Sequence, residues 1–224
     1  MDVAPGTIVV WSDIACPWAT LAVHRLDAAR ARLGLDAQVR FDHRAFPLEL
    51  FNERPTPRKV LAAEVPVVGG CAPEFGWQVW QAPDSHWPVT TLLALEAVQA
   101  AKEQSLEASE QLDLALRRAF FAESKCVSMR HVVLDAAAGC EAVDAGVLRE
   151  ALDDGRARRA VIEQRERAEQ EGVQGSPHLF LPDGSDAHNP GVRMHWEGEH
   201  GKGFPVVDAD DPSVYEQLLQ RAAG

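Results

Sequence analysis

Cys16-Pro17-Trp18-Ala19 is where this chain has the means to do chemistry. An apolar run, Thr7-Ile8-Val9-Val10-Trp11, precedes it and an amphipathic stretch comes after it. That order puts the cysteine between a strand and a helix, on the helix's first turn. Free backbone N–H groups and the positive end of the helix dipole favour an anion there. A thiolate in such a place has a lowered pKa and is a usable nucleophile near neutral pH. Pro17 suits a first helical turn whatever the function. Trp18 reads as a hydrophobic plug beside the thiol.

The elements that must hold the cysteine are legible on both sides of it. Ile8 to Trp11 reads as a strand. Trp18, Ala22, Leu26, Ala29 and Leu33 recur at helical spacing, with Arg25, Arg30 and Arg32 off that face. Gly34 stops the helix as a C-terminal cap. Gln38 to His43 then alternates polar and apolar, as a half-buried strand does. Strand, helix and strand together predict a parallel pair with a right-handed crossover.

From about Pro47 to Pro88 the chain is rich in proline and glycine and carries Trp77, Trp80 and Trp87. A short helix is expected near Pro57 to Glu64, then an irregular aromatic stretch. The tryptophans suit either a pocket for an aromatic ligand or the packing of an awkward loop. A helical block comes next, with Leu92, Leu95 and Val98 on one face and Leu112, Leu116, Ala119 and Phe120 on another. Val133 with Ala136 or Ala137, and Leu148 with Leu152, mark shorter helices broken by Gly139 and Gly155.

Arg156 to Glu171 is a charged helix whose Arg159/Glu163 and Glu163/Arg167 pairs suit an exposed face. Gly175-Ser176-Pro177 leads into a strand at His178 to Leu181. Pro182-Asp183-Gly184 is a turn, and Val192 to Trp196 is a second strand. Asp211 as N-cap and Pro212 at the first helical position begin a final helix with Val214, Leu218 and Ala222 inward.

Composition narrows the function classes. With 46% hydrophobic and 25% charged residues the chain can build a real core. Its 22 basic residues against 34 acidic ones give a net charge of −12 and no basic patch, which argues against a nucleic-acid partner. No stretch is apolar enough to cross a bilayer, and the first residues do not read as a signal peptide. The expected compartment is the cytoplasm, where thiols stay reduced. Cys71, Cys126 and Cys140 lie far apart and form no C-x-x-C pair, so they read as small buried apolar residues. His188, His195 and His200 match no metal-ligand spacing, and no metal is expected.

Several stretches together resemble the DsbA family of the thioredoxin superfamily, in particular its FrnE-like branch. Ser12 to Trp18 resembles that branch's active-site stretch. Phe41 to Leu48 resembles its second strand and the arginine-phenylalanine stretch after it. Leu116 to Ala122 (LRRAFFA) resembles part of its helical insertion. Gly172 to Pro177 resembles the run into the family's cis-proline. The resemblance implies an α/β, thioredoxin-like fold with a helical insertion. The thioredoxin-like domain would take residues 6–56 and 154–224, and the insertion 57–153. It makes Cys16 the nucleophile and assigns partner binding to Pro17, Trp18, Ser176, Pro177 and His178. Pro177 would be cis against Cys16, with Ser176 contributing its backbone. His178 is either a neighbour that raises the thiolate fraction or a structural strand histidine.

Ala19 departs from the pattern, because family members that make or reduce disulfides use a second cysteine there to resolve the mixed disulfide. A sister branch, including 2-hydroxychromene-2-carboxylate isomerases and kappa-class glutathione transferases, carries Ser-Pro at this point and binds glutathione. Three readings result. The first is a thiol-disulfide oxidoreductase with one active-site thiol. The second is an isomerase or transferase that uses glutathione or mycothiol. The third is a non-catalytic binding protein. The partner expected is a thiol or disulfide substrate, small molecule or protein, and both a monomer and a homodimer stay open.

Overall fold

The computed structural model describes all 224 residues. The strand β1 (Thr7–Ser12) runs through the middle of a four-stranded sheet. It is parallel to β2 (Arg40–Ala45) on one side and antiparallel to β3 (His178–Phe180) on the other. β4 (Asp186–His188) pairs with β3 at the edge. Such a central strand is covered on both faces, so its middle residues, Ile8 to Trp11, are apolar in succession rather than alternating. Ile8 and Val10 pack on one side with Ala22, Leu26 and Leu219. Val9 and Trp11 pack on the other with Phe46, Ala168 and Phe180.

The helix α1 (Pro17–Leu33) crosses between β1 and β2, and Gly34 ends it in the left-handed conformation at φ 67°. Ala22, Leu26 and Ala29 are buried as the spacing requires. Arg25 and Arg30 are buried as well, against the expectation that they lie off the packed face. Each has a carboxylate partner that makes burial tolerable. Arg25 grips Asp210 at 2.6 and 2.8 Å, and Arg30 reaches Glu110 at 2.7 Å.

After β2 come the single turn α2 (Leu48–Phe51) and the helix α3 (Arg58–Cys71). α3 is longer than the expected Pro57–Glu64 segment and carries Pro66 inside it. Burial of Leu61, Val65 and Val68 extends it past the proline, whose missing N–H leaves one helical bond unmade. The helical block continues with α4 (Leu92–Lys102), α5 (Leu106–Phe121), α6 (Arg130–Ala138) and α7 (Ala145–Asp154). α8 (Arg158–Gln170) leads back to β3. The block's own core contains Leu95, Val98, Leu112, Leu116 and Phe121, and it takes in Ile14 and Ala15 from the loop before α1.

The tail holds more strand than its sequence suggests. β5 (Val192–Glu197) pairs with β6 (Phe204–Asp210) as a separate antiparallel hairpin. Neither β4 nor β6 is among the expected elements. β4 is only three residues long, and β6 carries polar residues on an exposed surface. The last helix, α9 (Val214–Ala223), starts after Ser213 rather than at Pro212. Asp211 Oδ1 instead accepts from the Ser213 N–H at 3.0 Å and from its hydroxyl at 2.6 Å, closing a turn ahead of the helix. No helix is long and apolar enough to cross a membrane.

Candidate active site

Between β1 and α1 the chain turns in four residues, and their polar groups are nearly all engaged. Asp13 is fully buried. Its carboxylate accepts the Ala15 and Leu48 N–H groups, both at 2.8 Å. Its own N–H donates to the Ser176 hydroxyl at 2.9 Å. Ser176 therefore contributes its side chain to the site, beyond the backbone role expected of it. Burial outweighs the donors and pushes the Asp13 carboxyl up to about 6.

Arg117 of α5 supports the same loop from beneath. It is fully buried and paired with Asp113 at 2.6 and 3.1 Å. It also donates to the Asp13 carbonyl at 3.0 Å, the Ser12 hydroxyl at 2.7 Å and the Thr20 hydroxyl at 3.1 Å. A planar guanidinium with five N–H donors is suited to tying several acceptors at once.

Cys16 is the N-cap of α1. Its sulfur accepts the Ala19 N–H at 3.4 Å, the helix-terminal contact that its position calls for. On the other side Sγ donates to the Ser176 carbonyl at 3.1 Å. The residue is 5% exposed. Its burial decides the electrostatics: the thiol is pushed up to about 11, while the Ser176 side chain and the Ala19 N–H pull it back only in part. Glu64 and Asp13, both acidic, add to the rise. The lowered pKa expected from the helix terminus is thus overturned in the free protein. Sequence position locates the helix end but says nothing of how deeply the sulfur sits.

The Ser176–Pro177 peptide bond is cis. Cys16, Pro17, Trp18 and Ser176 line a cleft of about 360 Å³, together with Arg54, Glu64 and His200. Pro177 is buried. His178 does not line the cleft. It is 1% exposed, with Nδ1 accepting the Gln174 N–H at 3.1 Å and Nε2 bonded to Asp186 at 2.8 Å. Both ring nitrogens serve the strand and its approach, so the binding role expected for His178 gives way to a structural one.

Trp18 does more than fill space. It packs against Leu21 and Val68, and its indole N–H donates to the Glu64 carboxylate at 3.0 Å. Burial pushes Glu64 up to about 7, with the Trp18 bond opposing. Sequence reasoning misses Glu64, though a signal exists. In Leu61, Glu64, Val65 and Val68 a carboxylate interrupts the buried stripe of a helix. Arg117 leaves a weaker signal, as one of two arginines in an otherwise apolar helical segment.

All three tryptophans pack against phenylalanines of the helical block, and two of them also wall a cavity. Trp80 and Trp87 wall a separate cavity of about 430 Å³ with Leu61, Val65 and Phe120. Trp77 packs between Phe75 and Phe121, and its N–H donates to the Ala72 carbonyl at 3.0 Å. Cys16, Cys71, Cys126 and Cys140 are all free, and none of the last three lines the Cys16 cleft. They are half-buried rather than fully buried. No group of three or more His, Cys, Asp or Glu residues is placed to hold a metal ion.

The model of the DSBA-like thioredoxin domain matches residues 7–200. A probable DsbA oxidoreductase from Streptomyces coelicolor superposes with a TM-score of 0.69 at 22% identity, over 96% of this chain and 89% of that one. The cytosolic disulfide reductase DsbM from Pseudomonas aeruginosa, solved with GSH, gives 0.64 at 13% identity over 97% and 95%. A 2-hydroxychromene-2-carboxylate isomerase gives 0.56 at 17% identity over 81% and 87%. At these identities the likeness is one of fold. No curated protein matches the chain.

Proposed function

The chain belongs to the DSBA-like thioredoxin domain family, and from that premise we propose that it is a thiol-disulfide oxidoreductase working through the single motif thiol of Cys16. The carrying observation is the placement of that sulfur. It caps α1, touches the backbone of Ser176 before the cis-proline, and borders a cleft of about 360 Å³. Ala19, three residues on, supplies a methyl group where a resolving thiol would be.

In the proposed reaction Cys16 loses its proton and attacks a disulfide R–S–S–R′. A bond forms between Cys16 Sγ and the first sulfur as the S–S bond breaks, and R′–S⁻ leaves with the proton. A low-molecular-weight thiol, glutathione or mycothiol, then attacks the mixed disulfide and restores Cys16. The DsbM structure solved with GSH supports that choice of co-reactant. The Ser176 carbonyl, now taken by the thiol, becomes free for the partner's backbone once the proton is gone. A glutathione-coupled assay with a small disulfide tests this. Cys16→Ser abolishes turnover if the reading holds, and undiminished turnover in that variant overturns it.

A second reading, isomerisation or conjugation of an organic substrate with a bound thiol, draws support from the neighbouring cavity. Leu61 borders both that cavity and the Cys16 cleft, which leaves room for an apolar co-substrate. Calorimetric titration with glutathione and mycothiol tests it, and no heat of binding from either rejects it. A third reading, a binding protein with a retired thiol, draws on the burial of Cys16. It requires that Cys16 exchange with no disulfide.

A further inference from the structure

Five carboxylates are buried in this protein, and one of them is partnered differently from the rest. Glu96 pairs with Arg158, Glu110 with Arg30, and Asp113 with Arg117. Asp13 accepts two backbone N–H groups and the Thr91 hydroxyl. Glu64 has a single neutral partner, the Trp18 indole N–H, on Oε1. It faces the same cleft as Cys16. A buried carboxylate without a cation is costly, and such groups concentrate where a proton is handled. The buried thiol, for its part, has no acceptor for its proton other than the Ser176 carbonyl, which cannot take it.

We propose that Glu64, on α3 of the helical block, is the proton acceptor for Cys16. The inference rests on Cys16 being the nucleophile. Glu64 shares the cleft with the thiol but makes no hydrogen bond to it, so as the sulfur attacks a disulfide its proton passes to the Glu64 carboxylate by way of one water in the cleft. The Cys16 Sγ–S bond forms, the substrate S–S bond breaks, and the departing thiolate collects the proton from Glu64. No proton or electron is left over. Trp18 keeps Oε1 in place and leaves Oε2 for the proton.

Other charged groups border this exchange. Cys16 shares the cleft with Glu64 from the loop before α1, Arg54 from the segment before α3, and His200 from the turn between β5 and β6; Asp13 acts on Cys16 from the same loop. Arg58 and Lys59 lie on the first turn of α3 itself. None makes an ion pair with Glu64, whose surroundings reduce to burial and Trp18. His200 is the competing base and is tested beside it.

The experiment is the rate of Cys16 alkylation by iodoacetamide from pH 5 to 10, read by peptide mass spectrometry. It compares the native protein with Glu64→Gln and His200→Gln, with circular dichroism to show that each variant folds. Two effects of Glu64→Gln have opposite signs. Removing a negative neighbour eases ionisation of the thiol and speeds alkylation. Removing a base slows it, by about tenfold or more at neutral pH. The proposal expects a step near pH 7 in the native profile, from Glu64 itself, that Glu64→Gln abolishes and His200→Gln keeps. Faster or unchanged alkylation in Glu64→Gln, or loss of the step in His200→Gln, overturns it. Alkylation needs no disulfide partner, so the two readings separate. A Cys16 inert throughout in the native protein defeats the nucleophile reading as well. A reactive Cys16 indifferent to Glu64 defeats only this one.

Discussion

Cys16 Sγ lies 3.1 Å from the carbonyl oxygen of Ser176, and the bond runs from thiol to carbonyl. A carbonyl oxygen only accepts, so the contact holds sulfur in its protonated form. Burial acts in the same direction. At rest, then, the site is a capped thiol rather than a standing thiolate. The Ala19 N–H at the other side of the sulfur is ready for the anion once the proton leaves.

The equilibrium ionisation of Cys16 is set by that arrangement. Thiolate absorbance, taken as the difference between native protein and Cys16→Ser, shows no ionisation of this residue below about pH 9, against about 8.5 for a free cysteine. A midpoint near neutrality contradicts the burial argument.

Ala19→Cys tests whether the site retains the geometry for a second thiol. Ala19 is fully buried and its N–H already touches Cys16 Sγ. The variant is expected to form a disulfide between Cys16 and the introduced thiol under mild oxidation, seen as a loss of two hydrogens by mass and reversed by dithiothreitol. A variant that stays reduced shows that the helix terminus no longer accepts the bridge.

Arg117 carries both stability and the shape of the site. Arg117→Met leaves Asp113 buried without its partner and removes the donors to Ser12, Asp13 and Thr20. Destabilisation of about 3–5 kcal/mol is expected by urea unfolding. Adding Asp113→Leu restores a large part of it, because the uncompensated charge goes. A loss near 1 kcal/mol in the single variant places the loop's support elsewhere.

Glu64 gives stability a dependence on pH that one substitution isolates. Its carboxyl ionises near 4.5 when unfolded and about 7 when folded. The folded state therefore holds the extra proton between those values, and the contribution of Glu64 falls as pH rises through that window. Asp13 acts in the same sense. His43, buried and held below its ordinary value, acts in the opposite one below about 6.5. The clean readout is the stability of Glu64→Gln minus that of the native protein. It rises between about pH 4.5 and 7 by roughly 3 kcal/mol. A flat difference contradicts the burial of this charge.

Much of this is legible in the residues, and the gaps have physical causes. Ile8 to Trp11, the α1 stripe and Gly34 announce the β-α-β unit, because periodicity and caps are local signals. Cys16 emerges from the strand-to-helix boundary, and Pro177 from family resemblance. Sequence leaves two readings open for His178, because the hydrogen bond to Asp186 that makes it structural depends on β3 pairing with β4, an edge strand of three residues that no local pattern reveals. Arg25 and Arg30 fall on the wrong face because their partners, Asp210 and Glu110, are far off in sequence. The burial of Cys16 is likewise a tertiary property, and it reverses the pKa expected from helix position. Glu64 is marked in the sequence only as a carboxylate on an apolar helical stripe.

The most direct measurement is trapping. Reduced protein is mixed with glutathione disulfide at neutral pH, quenched in acid and read by intact and peptide mass spectrometry. One glutathione adduct is expected, on Cys16, absent from Cys16→Ser and released by added glutathione. No adduct on Cys16, or an equal adduct in Cys16→Ser, contradicts single-thiol exchange and leaves the cleft as a binding site.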